Sequence, residues 1–226
     1  MTGVVVNTLT VIFGSLIGLL FKKLIPDNWG DHIMKGIGLV VIYIGIKGAF
    51  EGENTLIAII SIAVGAVIGT ALDLDKMLNN LAERIENKFK RADRTTSVAE
   101  GFVTASLLFC VGAMTVVGSL NAGLTGDNSM LFTKATLDGI SSIILSATLG
   151  VGVLLSAAFV FTFQGLIVVL AQLISPLLSD ACIAEMTCVG SLLIMAIGLN
   201  ILGVTKLKVM NYMPAVFIPI ILCLFM

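Results

Sequence analysis

Apolar residues run through this chain in blocks of about twenty, the length at which a helix crosses the hydrocarbon core of a bilayer. Eight blocks can be marked, at residues 4–25, 33–50, 55–72, 99–120, 132–149, 152–178, 183–203 and 211–226. The pattern predicts an all-α integral membrane protein with about eight transmembrane helices. The blocks between 132 and 178 run into one another and are too long for a single span, so a turn is expected at Gly150 and Gly152, flanked by Thr148 and Ser156. The first block starts at Val4 with no basic region before it and no small-residue cleavage site, and reads as a retained span, not a signal peptide.

Between the third and fourth blocks lies the one long polar stretch, residues 73–97, DLDKMLNNLAERIENKFKRADRTTS. Leu74, Met77, Leu78, Leu81, Ile85 and Phe89 recur at helical spacing, and Glu86 stands four residues before Lys90. This predicts an amphipathic helix on the membrane surface, drawn to anionic lipid headgroups or serving as a docking site for a soluble partner.

Composition narrows the class. With 58% hydrophobic residues, 12% charged residues and a mean hydropathy of +1.09, the chain has more apolar surface than a soluble core would hide. A formal charge of −1 and scattered basic residues argue against nucleic-acid binding. The placement of those basic residues sets orientation. If the N-terminus lies on one side, that side receives only Lys47 and Lys134, whereas the other receives the remaining eleven of the thirteen lysines and arginines. The rule that basic loops stay inside then puts both termini outside.

A weak internal repeat emerges when Gly45 is set against Gly198, 153 residues on. Leu24 then meets Leu177, Asp27 meets Asp180, Leu39 meets Leu192 and Ile44 meets Ile197, with Pro26 and Pro176 close to register. The copies begin an odd number of spans apart, so the second is upside down, and the loop charges agree. Lys22 and Lys23 give way to Ser175 and Pro176, while the acidic turn at Glu51 and Glu53 gives way to Lys206 and Lys208. The expected organisation is a first three-helix unit (1–72), a connector (73–97), a central two-helix hairpin (98–151) and a second, inverted three-helix unit (152–226).

Candidate chemistry gathers in the hairpin. Lys134 and Asp138 are four residues apart and share a helix face, as a polar gate or ion site, or as a lysine that snorkels to headgroups beside an aspartate that caps a helix end. Ser141, Ser142, Ser146 and Thr148 could offer a solute a succession of hydroxyls opposite Thr115 and Ser119, or simply bond their own backbone. Gln164, midway along the sixth span, is a solute contact or an interhelical clasp. Gly112, Gly118, Gly123 and Gly126 suggest a broken helix or a glycine-rich loop at the end of the fourth span. Asn7, Glu185 and Asn200 are placed near span ends, within reach of water. The GxxxG pairs Gly14/Gly18 and Gly65/Gly69 are packing faces, with a homo-oligomer contact as the other use. Pro214 and Pro219 are expected to kink the last span.

Enzyme signatures are missing. His32 is the sole histidine, which excludes HExxH motifs and Ser-His-Asp triads, and neither a Walker A loop nor GxSxG is present. The four cysteines have no ligand spacing and read as small hydrophobes, so no metal and no cofactor is expected.

The stretch FCVGAMTVVGSLNAGLTGD, followed by KATLDGISS, ATLGVGVLLSA and QGLIVVLA, resembles the bacterial inner-membrane family known as domain-of-unknown-function family 554, with similarity from VVNTLTVIFGSLIGLL onward. The resemblance implies a multi-pass protein of the bacterial cytoplasmic membrane with no established activity. It points to Gly112, Thr115, Gly118, Ser119, Asp127, Lys134, Asp138, Ser141, Gln164 and Gly165. The functional expectation is a small secondary transporter or channel for a small solute or ion, lined by spans four and five. The rival is a non-transporting scaffold or partner subunit that docks through the amphipathic helix.

Overall fold

The computed structural model describes residues 1–22, 27–80, 98–111 and 113–224, and helices account for nearly all of them. In chain order these are α1 (Thr2–Lys22), α2 (Asp27–Ala49), α3 (Thr55–Ala71), α4 (Leu74–Asn80), α5 (Val98–Cys110), α6 (Ala113–Leu124), α7 (Ser129–Leu149), α8 (Val151–Val169), the single turn α9 (Ala171–Ile174), α10 (Asp180–Ile201), a 3-10 helix (Val209–Phe217) and α11 (Ile218–Leu222). Four of the described helices are long and apolar enough to cross a membrane, and six spans result if each bent pair counts as one. Phe13, Leu20, Leu39, Val67 and Val169 point outward and are 60% exposed or more, a distribution that suits lipid and not water.

The two bends have local causes. Asp73 adopts a positive φ of 48°, and α4 leaves α3 at 51°. α5 and α6 meet at 59°, with Thr115 Oγ1 donating to the Phe109 carbonyl at 3.0 Å and so satisfying one backbone acceptor freed by the break. The turn between α7 and α8 falls at Gly150, whose φ of +76° suits glycine. The last segment is not a kinked α-helix: Pro214, having no N–H, sits inside the nine-residue 3-10 helix that precedes α11. The amphipathic-helix prediction is described only as far as Asn80; residues 81–97 lie outside the described residues, as does Gly112.

Compactness groups the helices differently from the segments 1–72, 98–151 and 152–226. One unit holds residues 1–31, 80–110 and 114–174; the other holds 32–79, 111–113 and 175–226. Close approach at small residues explains why α1 leaves the helices that follow it. In the first unit α1 runs parallel to α7, with Gly14 against Gly139 and Ser142, and Gly18 against Ile143 and Ser146. Likewise Gly101 and Gly152 bring α5 against α8, and edge-on contact of Phe102 with Phe159 (centroids 6.1 Å apart) extends that interface. In the second unit Gly45 and Gly48 of α2 lie on Met195 and Ser191 of α10, which runs antiparallel, and Gly65 and Gly69 of α3 lie on Ala215 and Asn211. Both GxxxG faces are therefore covered within the chain, and a second copy would need another surface.

Glu185 is not a water-exposed end residue. It is buried in α10, and its Oε1 accepts the backbone N–H groups of Glu53 and Asn54 at 2.8 and 2.7 Å, tying the turn before α3 to α10. Glu185→Leu strips both donors of their acceptor and is expected to destabilise the protein by about 2 kcal/mol, whereas Glu185→Gln keeps a carbonyl there and should lose less than about 1 kcal/mol. Unfolding midpoints in detergent would check the difference. Asn200 clamps the next loop, its Oδ1 accepting from Thr205 Oγ1 and Leu207 N at 2.6 and 2.9 Å.

Candidate functional site: a buried polar layer

Four helices of the first unit meet in an apolar layer made by Val4, Ala122, Leu131 and Val168, near the loop 125–128. One helical turn further from that loop the same helices present Asn7, Ser119, Lys134 and Gln164, all buried. The change from wholly apolar to wholly polar within one turn defines the site.

Its bonds form a chain. Lys134 Nζ donates to Asp138 Oδ1 at 2.9 Å, Asn7 Nδ2 donates to Asp138 Oδ2 at 3.0 Å, and the same Asn7 nitrogen donates to Gln164 Oε1 at 3.2 Å. The four side-chain-bearing residues are 6% exposed or less. The i, i+4 spacing therefore does bring Lys134 and Asp138 together, but Lys134 does not snorkel and Asp138 caps no helix end. Its partners are side chains of α1 and α7. Gln164 accepts from Asn7 of α1, a clasp between helices, and Asn7 is buried and not, as expected, at a span end within reach of water. The missed signal was the stripe Val4, Asn7, Val11, Gly14, Gly18: Asn7 shares a face with the glycines that must pack.

The chain ends on two atoms without partners, Asn7 Oδ1 and Gln164 Nε2. Leaving such a group buried and unpaired costs about 1–3 kcal/mol. Ser119 Oγ is also unpartnered, although Ser15, Thr104 and Ser106 share that property elsewhere, so the hydroxyl alone distinguishes nothing.

Other expected site residues fall outside this layer. Ser141 is exposed, whereas Asp138 one turn before it is buried. Ser142 and Ser146 donate to Gly139 O and Ser142 O at 2.8 and 2.6 Å, and serve as the small residues against which α1 glycines pack. Thr115 donates its hydroxyl to the Phe109 carbonyl. Gly118 and Gly123 are not helix breaks: α6 runs continuously through both, Gly118 making room for Leu131 and Met130, and Gly123 for Ala171 and the Val168 carbonyl. Gly152 likewise belongs to α8 and permits close approach of the α5 backbone; the hinge is Gly150 alone. A Cβ at Gly165 would meet the Met1 methyl at 3.7 Å, an ordinary contact, so no close approach requires glycine there. Asp127 works outside the spans, accepting the Ser129 N–H and hydroxyl at 2.9 and 2.6 Å, bonds that hold its carboxyl below the usual range.

Comparison with known proteins gives a consistent class. The chain is 37% identical over 223 residues to "Uncharacterized membrane protein YdfK" of Bacillus subtilis (strain 168), covering 97% of this chain and 94% of that one. It is 28% identical over 219 residues to "Uncharacterized protein YqgA" of Escherichia coli (strain K12), covering 96% and 93%. No solved structure matches. The apolar outward faces, the spanning helices and these relatives describe a multi-pass membrane protein with bacterial homologues. With residues 2–224 matching its model, the chain belongs to the family described as protein of unknown function (DUF554).

Proposed function

We propose that this protein is a small secondary transporter or channel of the bacterial cytoplasmic membrane, carrying a small solute or ion past the layer of Asn7, Lys134, Asp138 and Gln164. The observation that carries the reading is a charged, hydrogen-bonded chain buried among apolar helices and ending on two unpartnered amide atoms. Ionisable groups inside a membrane are expensive, and they are kept where a pathway or pocket needs them. Among the described residues the layer pairs no nucleophile with a base, Ser119 Oγ being unpartnered, which favours transport over catalysis.

The proposed architecture is an inverted three-plus-three repeat around the hairpin 98–151, with eight spans and both termini outside. Its support is register. The seven buried positions of α1, from Gly3 to Gly18, fall 153 residues on at seven buried positions from Ser156 to Ala171. In the other unit, Gly38, Val41 and Gly45 correspond to Ser191, Ile194 and Gly198, again all buried. Moreover, Gly45 abuts Met195 and Ser191 while Gly198 abuts Ile42 and Gly38, which are those same two positions in the opposite copy. Such reciprocal contact is what a two-fold relation produces. Departures from the repeat are informative too: Asn7 corresponds to Val160, and Gln164 to Val11. Both amides stand where the other copy keeps valine.

Purified protein in liposomes tests the reading. The wild type should move at least one member of a panel of monovalent ions, carboxylates, amino acids and small amides faster than protein-free vesicles, and Asp138→Asn should lower that flux at least tenfold. Absence of flux for the whole panel, or an Asp138→Asn variant as fast as the wild type, refutes it. The scaffold alternative draws on α4, which turns away from α3 and exposes Met77. Deleting residues 73–97 would abolish partner binding in a scaffold and leave most of the flux in a transporter.

A further inference from the structure

We infer that the polar layer takes a small uncharged solute bearing a hydrogen-bond donor and acceptor side by side, a carboxamide or urea-like group, and does not take an ion. The inference rests on the transport reading and specifies its substrate class. Its starting point is the orientation of two amides. Asp138 Oδ2 lies 3.0 Å from the Asn7 side-chain nitrogen, and reversing Asn7 would set a carbonyl oxygen against that acceptor. The amide of Asn7 is therefore fixed by the aspartate. Its nitrogen then donates to Gln164 at 3.2 Å, which requires the Gln164 oxygen and turns the Gln164 nitrogen away. One free acceptor, Asn7 Oδ1, and one free donor, Gln164 Nε2, follow from that sequence of constraints, and both are buried without a partner.

A carboxamide is the complement of that pair: its N–H meets Asn7 Oδ1 and its carbonyl oxygen meets Gln164 Nε2. Charge points the same way. Lys134 neutralises Asp138 at 2.9 Å, so the layer is neutral in sum; an entering cation would confront the ammonium, and an anion the carboxylate. Among the described residues, Lys134 is the one charged side chain that acts on Asp138. Size follows from packing. Val4, Ala122, Leu131 and Val168 close the layer on one side, and the contacts of Gly3, Gly14 and Gly18 hold α1 hard against α7. Helices packed this closely favour a group of a few heavy atoms over a bulky one.

Stopped-flow light scattering on vesicles containing the full chain provides the test. Under an inward gradient of acetamide or urea, re-swelling should be at least tenfold faster than in protein-free vesicles. Gln164→Met and Asn7→Leu should each return it to background, while Ser141→Ala, on the exposed face, should not. Should either layer variant fail to fold, the wild-type selectivity decides. Faster water exchange without amide entry overturns the inference. So does an Asp138-dependent flux of sodium, protons or chloride without amide entry, although that result leaves the transport reading standing. No flux of any solute or ion overturns both.

Discussion

Lys134→Met alone is expected to destabilise the protein by about 3–5 kcal/mol, and the double variant Lys134→Met/Asp138→Leu by less than either single change. The reason lies in what each leaves behind. Removing the ammonium strands a carboxylate in an apolar bundle, with Asn7 Nδ2 as its remaining partner. Removing the carboxylate strands the ammonium and takes an acceptor from Asn7. Removing both leaves two apolar side chains of similar volume and one under-used amide, a deficit of about 1–2 kcal/mol. A double-mutant cycle from denaturant unfolding in detergent micelles should therefore return a coupling of about 2 kcal/mol or more. Additive losses would mean that the two residues do not share one buried interaction, and the layer would have to be redrawn.

The ion pair was legible in the sequence for a simple reason: four-residue spacing on a helix needs no knowledge of any other element. The helices were legible too, because a block of about twenty apolar residues has one stable form in lipid. What failed was everything that depends on a partner. Asn7 looked like an end residue because its distance from the terminus is short, yet α1 is helical from Thr2 and buries it against α7 and α8. Ser141, Ser142, Ser146 and Thr148 cannot be phased without knowing which neighbour α7 faces; Gly14 and Gly18 select Ser142 and Ser146, and leave Ser141 outside.

Glycine was the most misleading letter. Missing a Cβ, it permits both an irregular backbone and an approach of two regular ones, and composition does not separate these uses. Gly150 is the first kind, with φ at +76°. Gly118, Gly123 and Gly152 are the second, each lying in a regular helix beneath atoms of another. A helix break does lie between Cys110 and Ala113, where Thr115 reaches back to Phe109; Gly112, one of the glycines expected to mark a break, is in that interval but outside the described residues.

Gly45→Val and Gly198→Val provide the sharpest test of the repeat, and each is expected to destabilise the protein by about 2–3 kcal/mol. A Cβ at Gly45 would sit 2.7 Å from Met195 N and 2.8 Å from Ser191 O; one at Gly198 would sit 2.6 Å from Ile42 Cγ1 and 2.9 Å from Gly38 O. Backbone atoms oppose both, so rotamer changes alone give no relief and α2 must move away from α10. A two-fold contact has a further consequence. The displacement that admits the first valine also opens the reciprocal position, because both glycines lie in one antiparallel crossing. The double variant should then fall short of the summed losses by about 1 kcal/mol or more, outside the few tenths expected of independent sites. Unequal single losses that add in the double would show the two glycines in unrelated contacts, and the match between Gly45 and Gly198 would reduce to coincidence in a low-complexity apolar sequence.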